Sequence, residues 1–245
     1  MSFCFALFTD FGPAGPYLGQ MESVLRQFAP HIPVIHLVSD APSANPIAAS
    51  YLLATLRGSF PEDTIFLTVV DPGVGGSRRP VVLCADGQYF VGPDNGLLNT
   101  VAVQAKTVEW YEIIWRPDVC SNSFHGRDIF APVACALANG LLADYCKPVP
   151  QPDLSAWPSD CNQIIYFDFY GNAMTGLRYE PNLDVRQLVI NEHCIDQAST
   201  FCSVETGQPF WYCNSSGLVE IAVNQGKAQD LLNLKMGDSF HLLPN

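Results

Sequence analysis

The sequence predicts an α/β protein: an N-terminal, mostly parallel sheet flanked by helices, then a smaller C-terminal domain that is β-barrel-like. Three observations predict it. Apolar runs of strand length alternate with runs at helical spacing through the first half of the chain. Four prolines fall within the eleven residues 148–158. Beyond them the pattern changes to short strands separated by turns. The expected division is an N-terminal α/β domain over 1–150, a linker over 151–158 and a C-terminal β domain over 159–245.

The elements follow in order. Phe3 to Thr9 is a short apolar run ending in T-D-F-G. Tyr17, Met21, Val24, Leu25 and Phe28 recur at helical spacing, with Pro16 at the first helical position. Pro33 to Leu37 reads as a second strand. Asn45-Pro46 reads as a cap and first turn of a helix reaching about Leu56. The β-rich run Ile65 to Val70 ends at Asp71-Pro72-Gly73. Val81 to Ala85 and Tyr89 to Val91 flank Asp86-Gly87, a hairpin signal. Asp128 to Leu141 is alanine-rich and reads as a helix. In the second half, Ile164–Phe169, Asp184–Ile190, the stretch near Phe201 and Leu218–Val223 read as strands.

Composition excludes several classes of function. The net charge is −12 and no Lys/Arg cluster exists beyond Arg78–Arg79, so a nucleic-acid binder is not expected. Charged residues make up only 15% of the chain and apolar residues 48%, which argues against disorder and fits burial of surface in an oligomer. The nine cysteines show no C-x-x-C spacing; with the histidines they are wrongly spaced for zinc, and no metal or other cofactor is expected. Buried reduced thiols imply a cytoplasmic protein. The apolar N-terminus is interrupted by Asp10, lacks a basic leader and is too short to span a membrane.

Four clusters carry possible chemistry. Asp10 in T-D-F-G stands just past a strand, where open α/β sheets bind ligands; it serves there as a ribose-binding carboxylate or as a turn residue. Asp71-Pro72-Gly73-Val74-Gly75-Gly76-Ser77-Arg78-Arg79 also follows a strand. Its glycines permit close approach to a ligand, and it is neither a P-loop nor a dinucleotide fingerprint. Gly92-Pro93-Asp94-Asn95-Gly96 is a turn, or a turn that contacts substrate through Asn95. Ser123-Phe124-His125-Gly126-Arg127-Asp128 places His125 at a helix N-terminus, which favours a neutral imidazole able to accept a proton; a structural histidine is the alternative. His31, His36, His193 and His241 have no partnering motif and read as structural or solvent-facing.

Together, TDFG, VVDPGVGGSRR, GPDNGLL, SFHGRDIFAP, DFYGN and NSSGLVEIAVNQG resemble, in order and spacing, the S-adenosylmethionine hydroxide adenosyltransferases, relatives of the adenosyl halogenases. The resemblance covers nearly the whole chain. It implies a homotrimer with each active site between the N-terminal domain of one subunit and the C-terminal domain of its neighbour. It implies hydrolysis of S-adenosylmethionine to adenosine and methionine, with Asp71, Arg78 and His125 as the catalytic trio. Asp10 matches the ribose carboxylate, and Asn95 falls among the substrate-binding residues. Asp168 and Asn172 match contacts to the methionine part and the adenine, Ser215 a methionine contact. Val223 and Asn224 match the strand whose backbone meets the adenine edge. One position departs from the pattern: Gly15 stands where the family often has a second acid at the methionine end. That favours, as an alternative, a non-catalytic adenosine- or S-adenosylmethionine-binding protein. A halogenase is the other alternative, but the additional loop of fluorinase-like relatives after GPDNG is missing here.

The chemistry implied asks little of a general acid. The leaving group is a sulfonium that departs as a neutral thioether. The site must hold a water in line with the ribose 5′ carbon and give it hydroxide character; alignment alone contributes up to roughly 7–11 kcal/mol. Arg78, whose guanidinium offers only donors, is expected to hold and polarise the water. Asp71 is expected to orient Arg78, and His125 to take or relay the proton.

Overall fold

The computed structural model describes residues 4–183 and 186–244. Phe3 and Asp184, the expected first residues of two strands, lie outside the described residues. The chain divides into two compact units, one ending at Trp157 and one beginning at Pro158.

In the first unit β1 (Cys4–Thr9), β2 (Val34–Val38), β3 (Thr64–Val69), β4 (Pro80–Ala85), β5 (Gln88–Pro93), β6 (Val108–Ile113) and β7 (Cys146–Val149) form one sheet, in the order β2-β1-β3-β5-β4-β6-β7. The pairings from β2 through β1 and β3 to β5 are parallel. Those from β5 through β4 and β6 to β7 are antiparallel, so the sheet is mixed. The antiparallel half begins at the Asp86-Gly87 hairpin, where both residues have positive φ (49° and 80°) as a tight two-residue hairpin turn requires. Pro148, in the proline-rich segment, lies in the edge strand β7, where a missing N–H is tolerated.

Helices cover the sheet: α1 (Tyr17–Phe28), α2 (Pro46–Leu56), α3 (Asn99–Gln104), α4 (Ala131–Ala138) and α5 (Leu142–Tyr145). Asn45 caps α2 by accepting a hydrogen bond from the Ala48 N–H at 3.1 Å, with Pro46 in the first turn. Every residue of β1 and β3 is buried, which explains why both read as continuous apolar runs rather than alternating ones. Phe5, Leu7, Ile65 and Leu67 pack in one cluster with Met21 and Leu25 of α1 and Val133 and Ala134 of α4. The expected Asp128–Leu141 helix begins instead with a π-helical turn, Gly126–Phe130, before α4.

The second unit is built from β8 (Cys161–Phe167), β9 (Ala173–Arg178), β10 (Arg186–Ile190), β11 (His193–Ile195), β12 (Pro209–Cys213), β13 (Leu218–Val223) and β14 (Phe240–Pro244), with one short helix, α6 (Ala228–Leu231). Two small antiparallel sheets form, β12-β13-β9-β8 and β11-β10-β14. Trp211, Ile221, Leu188 and Phe240 share their common core. The stretch near Phe201 is not a strand but a 3-10 turn, Phe201–Ser203, whose aromatic ring packs against Phe210 and Tyr212.

Candidate active site

The parallel half of the first sheet sets the site. Thr9 of β1 pairs with Val69 of β3, and Leu67 of β3 pairs with Val91 of β5. The loops leaving these three strands therefore emerge side by side at one sheet edge, and they carry Asp10, Asp71 and Asn95. Ligands of open α/β sheets bind beyond the carboxyl ends of such strands.

Asp71 and Arg78 meet across the DPGVGGSR turn. Arg78 Nε donates to Asp71 Oδ1 and Oδ2 at 3.0 and 2.9 Å, and Nη2 donates to Oδ2 as well. Both side chains are nearly buried, 9% exposed for Arg78 and 4% for Asp71. The guanidinium also lies 5.5 Å from the ring centre of Phe130. Arg78 Nη2 is 2.8 Å from Nδ1 of His125. A guanidinium has only donors, so Nδ1 accepts, and the proton of a neutral His125 sits on Nε2. Burial first, and the Arg78 charge second, hold the His125 pKa below the ordinary imidazole value; Asp71 opposes them. The trio is thus one chain of hydrogen bonds, from carboxylate to guanidinium to imidazole. Arg79 lies outside it, pairing with Asp94 at 3.1 and 2.6 Å on an exposed face.

Backbone geometry holds the two loops together. Gly75 has φ +77°, and a Cβ there would stand 2.4 Å from the carbonyl oxygen of Asn122, three residues before His125. Only glycine lets the turn bearing Arg78 lie this close to the loop bearing His125. On the other side of His125, Asp128 accepts from the Ser121 N–H at 2.8 Å and pairs with Arg127, which also donates to Gln20 at 2.7 Å. Phe124 packs edge-on against Phe11 and Tyr17.

The remaining residues divide between the units. Asp10 is half-buried, and its Oδ2 accepts from the Ala44 N–H at 2.9 Å. Asn95 donates to the Val70 carbonyl at 2.9 Å and accepts from the Leu97 N–H at 3.2 Å, so its amide is occupied in joining the loops after β3 and β5.

In the second unit Asp168, Asn172, Val223 and Asn224 line one open cavity of about 780 Å³, with Phe169, Tyr170, Phe201, Tyr212 and Lys227. Asp168 accepts from the backbone N–H of Asn172 at 2.8 Å and from its Nδ2 at 2.9 Å. This fixes the amide, and its Oδ1 is left buried without a partner. The turn between them needs Gly171, at φ +79° with the Lys227 stem across it. The Asn224 N–H and side chain are taken up by Gln208 and Val204. Ser215 is exposed in the turn after β12. Among the described residues no group of three His, Cys, Asp or Glu side chains is placed to hold a metal.

Sequence reasoning missed one group here. Glu220, in the middle of the apolar strand β13, is 2% exposed. It accepts from the Tyr212 hydroxyl at 2.6 Å and from Asn214 Nδ2 at 2.7 Å. The signal was a lone acid inside LVEIAV, which needs polar partners if buried.

The model described as SAM hydroxide adenosyltransferase N-terminal domain matches residues 5–146, and its C-terminal counterpart matches residues 162–241. The chain is 34% identical to an (R)-S-adenosyl-L-methionine hydrolase of Thermus thermophilus, over 96% of this chain and 97% of that one. It is 23% identical to a fluorinase of an Actinoplanes species, over 95% and 94% of the two chains. A crystal structure of an uncharacterized conserved protein from Thermotoga maritima superposes with a TM-score of 0.89 at 32% identity, covering 97% of this chain and 99% of that chain. With both halves of the chain matched and a relative 34% identical over nearly its full length, the protein belongs to the SAM hydroxide adenosyltransferase family.

Proposed function

We propose that the protein hydrolyses S-adenosyl-L-methionine to adenosine and L-methionine, with hydroxide derived from water attacking the ribose 5′ carbon. The observation that carries this reading is the continuous hydrogen-bonded trio at the sheet edge. Asp71 anchors Arg78, and Arg78 in turn fixes His125 with its proton on Nε2. Both groups then meet a bound water as donors: Arg78 through Nη1, which has no partner among the described residues, and His125 through Nε2–H. Two such donors stabilise the water as hydroxide; with Nδ1 engaged by Arg78, the neutral His125 has no free acceptor, so the proton goes to solvent and not, as the sequence predicts, to His125. The new bond joins oxygen to the 5′ carbon, the carbon–sulfur bond breaks, and its electron pair stays on sulfur as the neutral thioether of methionine.

Substrate contacts are assigned as follows. Asp10, with one oxygen engaged by Ala44, offers the other to the ribose hydroxyls. Asn95 acts from behind, by holding the loops after β3 and β5. Asn172 Oδ1 is an acceptor suited to the adenine amino group, and the exposed rings of Phe169 and Tyr170 offer faces for stacking. Asp168 and Ser215 are assigned to the methionine part. Val223 and Asn224 form the wall beside the adenine.

The resemblance further supports a homotrimer with shared active sites, and the nine free cysteines a reducing cytoplasm. No helix among the described residues is long and apolar enough to cross a membrane. The domain division proposed is an α/β domain over 1–150 and a β domain over 159–245. Chromatography of S-adenosylmethionine incubated with the protein tests the function. Adenosine and methionine in equal amounts support it; unchanged substrate with measurable binding supports a binding protein; halide-dependent 5′-halo-adenosine supports a halogenase. Light scattering at micromolar concentration tests the trimer, which a monomer mass contradicts.

A further inference from the structure

Glu220 is a buried carboxylate with no part in the trio. Its two oxygens are engaged by two different neighbours: the Tyr212 hydroxyl at 2.6 Å and Asn214 Nδ2 at 2.7 Å. Tyr212 lines the cavity that holds Asp168 and Asn172. Asn214, itself 7% exposed, has its Oδ1 turned the other way, accepting from the backbone N–H groups of Ser216 and Leu218 at 3.0 Å each. These two bonds close the turn that carries Ser215. A single carboxylate therefore ties the cavity wall to the turn. Among the described residues no Lys, Arg or His forms an ion pair with it. Burial first, and the nearby Asp168 charge, raise its pKa, while the two hydrogen bonds act against them.

A buried acid without a counter-ion is costly, and a hydrophobic residue would pack into β13 at no such cost. What the carboxylate adds is direction. It accepts from Asn214 Nδ2 and, together with the Ser216 and Leu218 N–H groups on the other side, holds the amide with Nδ2 inward and Oδ1 toward the turn. Without it, the buried Nδ2 end of that amide loses its acceptor, and the turn is held from one side only.

We propose that Glu220 is a positioning residue for the methionine end of the substrate, acting through Asn214 on the Ser215 turn and through Tyr212 on the cavity wall beside Asp168. This rests on the substrate reading above. It also bears on Gly15, which leaves the first unit without the acid that often serves the methionine end: the recognition of that end falls more heavily on the second unit.

The two substitutions that separate this role from a bulk structural one are Glu220→Ala and Glu220→Gln. Glutamine can accept from Asn214 with Oε1 and donate to the Tyr212 oxygen with Nε2, so it keeps the amide direction and removes the charge. Glu220→Ala is expected to raise the KM for S-adenosylmethionine tenfold or more, with kcat within threefold and adenosine affinity within twofold of the parent. Glu220→Gln is expected to bring KM back within threefold. If Glu220→Ala does not fold, Asn214→Ala carries the same expectation of a selective rise in KM. An unchanged KM in the alanine variant, a parallel loss of adenosine affinity, or a glutamine variant no better than alanine overturns the proposal. A parent protein that releases no adenosine overturns the substrate reading instead, so the two failures are told apart.

Discussion

Arg78 donates from Nη2 to Nδ1 of His125 across 2.8 Å, and that one bond fixes the tautomer and the charge state of the imidazole. A protonated His125 would carry a hydrogen on Nδ1, facing a guanidinium N–H. The proposed activity therefore depends on the neutral ring. Burial and the Arg78 charge hold its pKa below the usual value of about 6.5. The neutral form is populated above this lowered pKa and lost below it. The acid limb of kcat/KM against pH is expected to fall at a pH lower than that of an ordinary histidine. An acid limb at or above pH 7 would remove His125 from this role.

Replacing Arg78 or His125 with alanine removes one donor to the hydroxide and is expected to lower turnover about 10²–10³-fold while adenosine binding stays within a few-fold. Neither side chain is assigned to ribose or adenine. Because the two act as one unit, the double variant should lose little beyond the worse single one. Arg79→Ala is the internal control, since Arg79 pairs with Asp94 on an exposed face. Equal damage from Arg79→Ala and Arg78→Ala in single-turnover assays would contradict the assignment.

Much of this was legible in the sequence, and for physical reasons. The runs of β1 and β3 are apolar throughout because both faces of those strands are covered, and the acid ending each run is visible as a break. Asp86-Gly87 announced its hairpin, and Asn45-Pro46 its helix start. The antiparallel half was harder to read. β6, VEWYEI, has no continuous apolar run, and β7 has four residues with a proline among them, so pairing rather than local preference defines them. The stretch near Phe201 has the aromatic content of a strand but serves as a turn that packs against β12. Asp71 and Arg78, seven positions apart in one glycine-rich loop, were visible as a pair through the family resemblance. Their contact with His125, 47 positions beyond Arg78, arises only when β3, β5 and the π-helical turn are assembled.

Asp10→Ala is expected to weaken adenosine binding by about 1.5–3 kcal/mol, the range for one hydrogen bond to a charged group. The loop geometry should also loosen slightly, because Oδ2 accepts from the Ala44 N–H. Calorimetry with adenosine checks this, and an unchanged affinity takes Asp10 out of the site.

Gly75→Ala should be more damaging than its exposure suggests. The added Cβ meets the Asn122 carbonyl at 2.4 Å in a backbone conformation unfavourable for alanine. We expect a loss of about 1–3 kcal/mol in urea denaturation. Turnover should fall as the Arg78 loop moves away from His125. Full stability together with full turnover would show that the two loops need not touch.

In the proposed reaction, oxygen from water joins the ribose 5′ carbon at the Asp71–Arg78–His125 trio. The most direct measurement is turnover of S-adenosylmethionine in oxygen-18 water, followed by mass spectrometry of both products. The heavy oxygen is expected on the 5′ position of adenosine, with none in methionine. Unlabelled adenosine, or label carried by the amino-acid fragment, would contradict it.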